Sequence, residues 1–298
     1  MARLVTYRAA GDASAALRAA AGTTEDGGAA PTPAARVGRL EGDGSVVELA
    51  APSMLAWLAG EGHEETGAAH SIDAVELLAP VPLPPSVRDF FTFEGHVAAG
   101  WKRRGGEIPE AWYEAPVFYF SNPAATYGPG AEIPRPAGTG MLDFELEIAA
   151  IVGANGTIAG FTLLNDWSAR DVQGREMTVG LGPAKGKDFA TSLGPWLVTP
   201  DELPWHDGRL DVEAWVTVNG TEITRSPARA QHWTWDQLVA HAAQDTRLLP
   251  GDVLGSGTLD GGCLLELGPL DGGRWLEPSD VVVIGADGLG ELMGVVVV

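Results

Sequence analysis

Acidic and apolar residues alternate most clearly between residues 142 and 148, where the chain reads LDFELEI. A strand has a period of two, so Asp143, Glu145 and Glu147 are predicted on one face and the apolar side chains on the other. Neighbouring carboxylates on that face lie about 7 Å apart, and at that distance two unit charges repel by about 2 kcal/mol at an effective dielectric of about 20. Either open water, the ordinary explanation for an amphipathic strand, or a bound cation relieves this repulsion.

The apolar pattern elsewhere predicts a mainly β protein of the α+β class. Short apolar runs bounded by Gly, Pro and Asn are typical of strands, and the turn residues between such runs predict hairpins. The run CLLEL is predicted as a strand that places Glu266 among leucines, where an acid needs a partner because burying it unpaired is costly. Residues 10–35 have little pattern and are predicted as a loop. Hairpins are predicted over residues 36–50, at Asn219-Gly220 and over residues 280–298.

Four segments carry the signals of helix ends. Ser53 is placed to cap a short helix, Ser168 with Asp171 fits a helix start, and Thr234 with Gln237 forms a capping box. A pair of glycines after residue 104 is typical of a helix end. The predicted helices therefore run from 53 to 59, from about 93 to 104, from 168 onward and from 234 to about 247.

A proline-rich run, PVPLPP at residues 80–85, predicts a boundary within the chain. At 298 residues the chain is long enough for one large domain or two unequal ones. We expect a small N-terminal β domain over residues 1–80 and a larger domain over residues 81–298.

The formal net charge of −21 argues against nucleic acid and anionic membranes as partners, because both require basic surfaces. No run of about 18 apolar residues is present, and the N-terminus lacks an apolar core of the signal-peptide type, so a cytoplasmic location is expected. Cys263 is the single cysteine, which excludes an internal disulfide and a cysteine-rich zinc site.

A local concentration of positive charge stands out in so acidic a chain. Lys185 and Lys187, two of only three lysines, lie in the glycine-rich run GLGPAKGK at residues 180–187. Such a loop can bring backbone amides and lysines close to a ligand, which makes it a candidate site for an anionic group. The run lacks the spacing of a phosphate-binding Walker loop.

Three further polar residues are candidates for a functional site. When each is taken alone, an ordinary structural role explains it better than a functional one. Asp89 reads as a turn or cap residue, His96 as a helix histidine, and Asp166 as a cap where a strand meets a helix. The signatures of serine hydrolases, zincins and Rossmann dinucleotide-binding proteins are absent.

Several short motifs, taken together, link these residues to a known family. From about residue 85 to its end, the chain resembles the fumarylacetoacetate hydrolase family, with six motifs in the family's order and with similar spacing. The region before residue 80 is short and poorly matched. The motifs are DFFTFEGH at 89–96, LDFELE at 142–147, NDWSARDVQ at 165–173, GKDFAT at 186–191, GSGT at 255–258 and CLLEL at 263–267.

The resemblance implies a mixed β-roll catalytic domain that binds a divalent cation. Magnesium is the expected ion, with calcium or manganese as alternatives, because an all-oxygen ligand set suits a hard cation. The resemblance therefore favours a bound cation over open water as the explanation of how the repulsion on the acidic strand is relieved. Asp143 is not among the implied ligands. The implied ligands are Asp89, Glu145, Glu147 and Asp166.

The resemblance also implies how catalysis would proceed. Glu266 would orient His96, and His96 would deprotonate a water that attacks a carbonyl of a β-diketo acid, such as an acylpyruvate or fumarylacetoacetate. Cleavage of the C–C bond would expel a carbanion held as an enolate, and Lys187 would stabilise its charge. Arg170, Gln173 and Thr258 match positions that contact substrate.

Two alternatives remain open from the sequence. The same enolate chemistry serves decarboxylases and isomerases of related 2-oxo acids, so the fold does not fix the reaction. A metal-binding protein without catalysis would keep the four carboxylates but would not need His96, Lys187 and Glu266 together. We expect a homodimer that acts on a small anionic oxo acid, with neither nucleic acid nor membrane as a partner.

Overall fold

The structure is a computed structural model that describes residues 2–9 and 35–298, and strands dominate it, as the apolar pattern predicted. The loop predicted over residues 10–35 lies, except for residue 35, outside the described residues. Among the described residues no helix is long and apolar enough to cross a membrane.

The elements follow one another in this order along the chain. The strands are β1 Arg3–Ala9, β2 Arg36–Leu40, β3 Ser45–Leu49, β4 Glu65–Ser71, β5 Val75–Leu78, β6 Val87–Phe90, β7 Phe118–Ser121, β8 Thr126–Tyr127, β9 Ala131–Pro134, β10 Leu142–Asp143, β11 Leu146–Val152, β12 Ile158–Asp166, β13 Ser168–Ala169, β14 Thr191–Val198, β15 Trp205–His206, β16 Arg209–Leu210, β17 Glu213–Val218, β18 Thr221–Pro227, β19 Val253–Gly255, β20 Val281–Ala286 and β21 Gly290–Val297. The helices are α1 Met54–Leu58, α2 Glu94–Arg103, α3 Arg170–Met177, α4 Trp235–Ala243 and α5 Leu264–Leu267. Single 3₁₀ turns occur at 72–74, 110–113, 123–125, 154–156, 200–202, 228–230 and 271–273.

Two large sheets organise these elements. The larger has the order β4-β3-β2-β1-β14-β12-β11-β19-β6-β7, with β5 paired to β1 and β8 paired to β14. The smaller has the order β18-β17-β20-β21-β9. Ile148 and Ala150 of β11 share a hydrophobic cluster with Val216 and Ile284 of the smaller sheet, so this cluster lies between the two sheets. The central strands of the larger sheet are therefore buried where the site is found.

The N-terminal strands belong to the same sheet as the later ones. Arg3 in β1 pairs with Val198 in β14, and Leu4 shares a hydrophobic cluster with Ile151 in β11 and Val253 in β19. The division of the chain at residue 80 stays a prediction. The sheet that carries the candidate site continues into the N-terminal part of the chain.

The predicted hairpins are confirmed, and so are the predicted helix caps at Ser53 and Thr234. β2–β3, β17–β18 and β20–β21 are antiparallel pairs, and Asn219 and Gly220 both adopt positive φ in the turn between β17 and β18. Ser53 accepts a hydrogen bond from the amide of Ala56 at the start of α1, and Thr234 forms the capping box of α4. These features depend on local signals that a short stretch of sequence carries.

Two elements near the candidate site differ from their predictions. The CLLEL segment is the helical turn α5 and not a strand, because Asp143 accepts hydrogen bonds from the amides of Leu264 and Leu265. Ser168 does not begin a helix but pairs within the β10–β13 ladder, and α3 begins at Arg170. In both cases the residue that changes the structure is Asp143, which is distant in the sequence from α5 and pairs with Ser168 in the short ladder.

Helix α4 is also shorter than predicted. It ends at Ala243, while the prediction continued to about residue 247. Leu238 and Ala242 lie on its buried face, and the next positions on that face are the polar residues Asp245 and Thr246. Asp245 instead adopts a left-handed φ of 56°. The helix ends where its apolar face ends.

Candidate metal centre and active site

The four acidic residues implied as ligands come together at one place in the larger sheet. Asp89 lies in β6, Glu147 in β11 and Asp166 at the end of β12, while Glu145 lies in the short link between β10 and β11. One oxygen of each carboxylate lies within 4.8 Å of those of the others, and all four residues are buried. We call this group the carboxylate cluster.

Gly255 in β19 provides the space for this cluster. β19 lies between β11 and β6, and Gly255 pairs with Asp89 of β6. A Cβ atom at residue 255 would lie 2.6 Å from Asp89 Oδ1 and 3.0 Å from Glu147 Oε2. The glycine of the GSGT motif therefore leaves open the position where any side chain would separate the two carboxylates.

Three oxygens of the cluster have no hydrogen-bond partner among the described residues. They are Asp89 Oδ1, Glu147 Oε1 and Asp166 Oδ1, and each is buried. An unpartnered buried acceptor costs free energy, so native proteins rarely keep one without a reason. Converging carboxylate oxygens are the ligands that hard divalent cations prefer. The residues present thus fit a divalent cation.

The electrostatics of the cluster point the same way. Burial raises the pKa of Asp89 well above its usual range, and the charge of Asp166 raises it further. Burial likewise raises the pKa of Glu147, with Asp89 adding to the effect. The pKa of Asp166 is raised by burial, and Lys187 opposes that rise. Without a cation, these three carboxyl groups hold protons more tightly than isolated carboxyl groups do.

Two buried cations reach the cluster through Glu145. Lys187 Nζ lies 2.5 Å from Glu145 Oε2 and 2.6 Å from Asp166 Oδ2, and Arg170 Nη1 lies 2.6 Å from Glu145 Oε1. Burial would raise the pKa of Glu145, but Arg170 and Lys187 outweigh it and lower that pKa. Burial would lower the pKa of Lys187, but Asp166 and Glu145 outweigh it and raise that pKa. Glu145 is therefore held ionised by its own partners.

Asp143 separates from the acidic face that the alternation predicted. The chain leaves the regular ladder between Asp143 and Leu146, where the amide of Glu145 donates to the side chain of Asn165. Asp143 accepts hydrogen bonds from Arg170 Nε at 2.8 Å and from the first amides of α5. It belongs to the support of α5 and not to the cluster.

Tyr119 is a residue of the site that the sequence reasoning missed. It lies in β7 opposite Asp89 of β6, and its hydroxyl donates to Asp166 Oδ2 at 2.5 Å. Burial and the nearby Asp166 charge raise its pKa well above the usual range. Its position as the one hydroxyl-bearing aromatic in the apolar strand FYFS was the available signal.

A second group of polar side chains is formed by His96 and Glu266. His96 Nδ1 lies 2.6 Å from Glu266 Oε1, although the two residues are 170 positions apart. His96 is carried by α2 and Glu266 by α5, and both side chains are only 10% exposed. Glu266 is thus the partner of His96, as the resemblance implied, and we call the two the His–Glu pair.

Two aspartates hold the helices of this pair. Asp260 Oδ1 accepts a hydrogen bond from the amide of His96 at 2.9 Å, at the N-terminus of α2. A Cβ atom at Gly95 would lie 2.6 Å from that same oxygen, so glycine is needed there for the approach. Asp143 performs the corresponding role for α5. Neither aspartate was singled out for this role from the sequence.

The residues implied as substrate contacts lie around the cluster. Arg170 begins α3, and its Nη1 donates to Gln173 Oε1 at 3.2 Å. Thr258 is buried in the loop after β19, where the amide of Gly257 donates to Glu147 Oε2 at 3.1 Å. Their roles toward a substrate stay predictions.

The glycine-rich loop at residues 180–187 was expected to offer backbone amides to a ligand, but three of its amides are already bonded within the protein. The amides of Ala184, Lys185 and Gly186 donate to the carboxylate of Glu176 at 3.0, 2.7 and 3.1 Å. Lys185 is exposed and pairs with Asp188. Of the two lysines in this loop, Lys187 reaches the buried site.

Comparison with known proteins shows which family the chain resembles. The model of the family "Fumarylacetoacetate (FAA) hydrolase C-terminal" matches residues 86–297. A fumarylacetoacetase from Arabidopsis thaliana is 33% identical over 262 residues, covering 66% of this chain and 61% of that protein. The fumarylacetoacetase from Homo sapiens is 29% identical over 281 residues, covering 69% and 67%. The matched part spans 59–61% of the length of the first three curated relatives.

Solved structures resemble the chain over almost its whole length. A 5-carboxymethyl-2-hydroxymuconate delta-isomerase from Mycobacterium smegmatis superposes with a TM-score of 0.69, 28% identity and 99% coverage of both chains. A fumarylacetoacetate hydrolase from Exiguobacterium antarcticum superposes with a TM-score of 0.72, 22% identity and coverage of 100% and 99%. The expected mainly β fold is confirmed.

Proposed function

The chain belongs to the fumarylacetoacetate hydrolase family, and on this premise we propose that it is a divalent-metal-dependent hydrolase. The reaction is cleavage of the C–C bond of a β-diketo acid of the acylpyruvate or fumarylacetoacetate type. The observation that carries the proposal is the His–Glu pair, whose histidine acts electrostatically on Glu145, together with the buried carboxylate cluster, three of whose oxygens lack a partner among the described residues. A histidine oriented by a carboxylate is suited to activate water, and such general-base help is worth about 10²–10⁴-fold.

The cation would be held by Asp89, Glu145, Glu147 and Asp166, and magnesium is the ion we propose. When bound, it supplies a Lewis acid that polarises carbonyl oxygens and draws off the charge that develops on them. The oxygens that lack a hydrogen-bond partner in the described part of the chain, on Asp89, Glu147 and Asp166, are those free to act as ligands.

The proton transfer is assigned to the His–Glu pair. Glu266 accepts the Nδ1–H of His96, which fixes the tautomer in which Nε2 is free to take a proton. Nε2 removes a proton from water as the water oxygen attacks a carbonyl carbon of the substrate. Glu266 stabilises the imidazolium that results. The electron pair of the breaking C–C bond departs on the leaving fragment as an enolate.

Arg170 and Lys187 provide positive charge for the substrate and the leaving enolate. Arg170 Nη2 is buried and has no hydrogen-bond partner among the described residues, so it is available to donate to a substrate oxygen. Lys187 Nζ lies against two carboxylates of the cluster. Both side chains are buried away from water, and a charge in such a place interacts more strongly than it does in water.

An isomerase or decarboxylase acting on a related 2-oxo acid is the second candidate. The observation that favours it is the similarity to the Mycobacterium smegmatis isomerase, which extends over 99% of both chains. These reactions need no activated water, whereas hydrolysis does. The His–Glu pair therefore favours the hydrolase.

Product analysis tests the proposal directly. The purified protein with magnesium is given a panel of acylpyruvates, fumarylacetoacetate and oxaloacetate, and loss of the enol absorbance is followed. Hydrolysis is expected to yield two acids, one of which incorporates oxygen from heavy-oxygen water. Release of carbon dioxide, or an isomer with no oxygen incorporated, would replace the hydrolase with the second candidate.

A further inference from the structure

The single cysteine of the chain lies against the His–Glu pair. Cys263 Sγ is 3.5 Å from Glu266 Oε1 and 3.9 Å from His96 Nδ1, and those two atoms are 2.6 Å apart. Cys263 is completely buried. The proposed hydrolysis uses no thiol at this place, so the sulfur needs another explanation.

The three donor atoms lie close enough together for one small metal ion to reach all of them, and the hydrogen-bonded His96 Nδ1 and Glu266 Oε1 move apart when an ion replaces the proton between them. A triangle with sides of 2.6, 3.5 and 3.9 Å has a circumradius of about 2.0 Å. Zinc binds nitrogen at about 2.0–2.1 Å, carboxylate oxygen at about 2.0–2.2 Å and thiolate sulfur at about 2.3 Å. An ion slightly out of the plane of the three atoms therefore reaches all of them without a large movement of either helix.

We propose that Cys263, His96 and Glu266 form a second metal site, which takes zinc or a similar borderline divalent ion and is separate from the carboxylate cluster. The two groups share no residue. A thiolate, an imidazole and one carboxylate suit zinc, whereas an all-oxygen set suits magnesium. A thiolate and a carboxylate together neutralise the charge of the ion in a buried place.

Binding at this site exchanges protons and involves no redox step. The ion displaces the proton that His96 Nδ1 shares with Glu266 and the proton of the Cys263 thiol, and both leave to solvent. The side chains of His96 and Glu266 are each 10% exposed, so they mark the side from which an ion enters. Three protein ligands leave one position of a tetrahedral ion for water.

The consequence for catalysis rests on the proposed function. With zinc on Nδ1, His96 loses its contact with Glu266 and with it the orientation that water activation needs. We therefore expect zinc to inhibit through the His–Glu pair when an excess of magnesium keeps the carboxylate cluster occupied.

Cobalt spectroscopy tests the site without reference to activity. The full-length protein is saturated with magnesium and titrated with Co²⁺, whose bond to a thiolate gives a charge-transfer band in the near ultraviolet. Because Cys263 is the one cysteine, any such band reports this residue. The band is expected in the wild type and in Glu147→Gln, and it is expected to be absent in Cys263→Ser. No band in the wild type overturns the site.

A second variant keeps the test decisive if Cys263→Ser folds poorly. His96→Ala retains the thiol, and its cobalt affinity is expected to fall by about tenfold or more because one of three protein ligands is lost. Circular dichroism checks that each variant is folded. Unchanged cobalt affinity in His96→Ala overturns the proposed ligand set.

Zinc inhibition separates this inference from the proposed function. With magnesium in excess, zinc is expected to inhibit the wild type. Cys263→Ser is expected to need about tenfold more zinc for the same fractional inhibition, measured against its own zinc-free rate. A cobalt band together with zinc-resistant activity supports the site and contradicts the role given to His96. Equal inhibition of both proteins with no cobalt band overturns the site.

Discussion

The carboxylate cluster and the His–Glu pair are built on opposite principles. The cluster consists of like charges from three strands and a link in one sheet, and three of its oxygens have no partner among the described residues. The His–Glu pair consists of complementary groups from two helices, at 2.6 Å. Asp260 accepts a hydrogen bond from the amide of His96 in the first turn of α2, and Asp143 accepts one from the amide of Leu264 at the start of α5. The cluster leaves hydrogen-bond acceptors without partners among the described residues, whereas the two members of the pair bind each other.

This difference indicates that changes to the carboxylate cluster and changes to the His–Glu pair should have different effects. The sheet register fixes the cluster, because β12, β11, β19 and β6 are direct neighbours. The pair depends on two short helices and their caps, which can change without disturbing the sheet. Metal binding and water activation should therefore be separable by mutation.

The largest effect is expected for His96→Ala. Removal of the proposed base should lower kcat for C–C hydrolysis by about 10²–10⁴-fold. Magnesium affinity should stay close to that of the wild type, because His96 is outside the carboxylate cluster. Steady-state kinetics and calorimetry measure the two quantities. His206→Ala, at an exposed histidine, is the matched control.

The comparison fails if His96→Ala retains most of its hydrolytic turnover. In that case Lys187 and the enolate would have to account for the chemistry, as in an isomerase. Loss of magnesium binding in the same variant would show that the pair and the cluster are not independent.

The next largest effect is expected for Gly255→Ala. The new methyl group would stand between Asp89 and Glu147, so magnesium affinity should fall by about 10–100-fold, the range seen when the support of metal ligands is disturbed. Calorimetry measures the affinity. Gly42→Ala is the control, because a Cβ there meets nothing within 4 Å. Wild-type affinity in Gly255→Ala would mean that the cation does not lie between these carboxylates.

Metal removal should have an effect of similar size that depends on pH. Because the pKa values of Asp89 and Glu147 are raised in the folded protein, their contribution to metal-free stability is present at low pH and is lost as pH rises through those values. Magnesium binds the deprotonated cluster, so the stabilisation by magnesium should grow with pH. At a concentration of 100 times Kd it approaches about 2.7 kcal/mol.

Thermal melts with EDTA and with magnesium at several pH values measure this effect. Glu147→Gln removes one of the proposed ligands and one of the like charges, so it should melt no lower than the wild type in EDTA and gain less from magnesium. Glu291→Gln, at an exposed position, should behave as the wild type. A gain from magnesium that shrinks as pH rises would contradict the assignment.

The two regions also differ in how far the sequence predicts them. Strand alternation groups Glu145 and Glu147 with Asp143, and the resemblance to the family is what selects Asp89, Glu145, Glu147 and Asp166. Strand periodicity is local, so a short stretch suffices to mark the acidic run, although Glu145 lies in the link between β10 and β11. Asp143 departs from that pattern because its partners, Arg170 and α5, are 27 and 121 positions away.

The support of the His–Glu pair could not be predicted in the same way. Asp260 reaches the amide of His96 across 164 positions, and Cys263 reaches His96 Nδ1 across 167. No periodicity or spacing connects such residues, since the contact exists only after the sheets have packed. The wrong prediction for CLLEL has the same origin, because the amides that begin α5 are bound by the distant Asp143.

The smallest effect is expected for Asp260→Ala, which removes the cap of α2 while leaving His96 and Glu266 in place. Loss of a helix cap costs about 0.5–2 kcal/mol, and the freer helix should lower kcat without raising KM, because only the orientation of the base changes. Asp260→Asn keeps an oxygen that can accept the amide of His96, so it should restore most of kcat. Asp271→Ala, at an exposed aspartate, is the control. If Asp260→Asn is as slow as Asp260→Ala, the negative charge and not the cap is what the pair requires, and the pair is less self-contained than its geometry indicates.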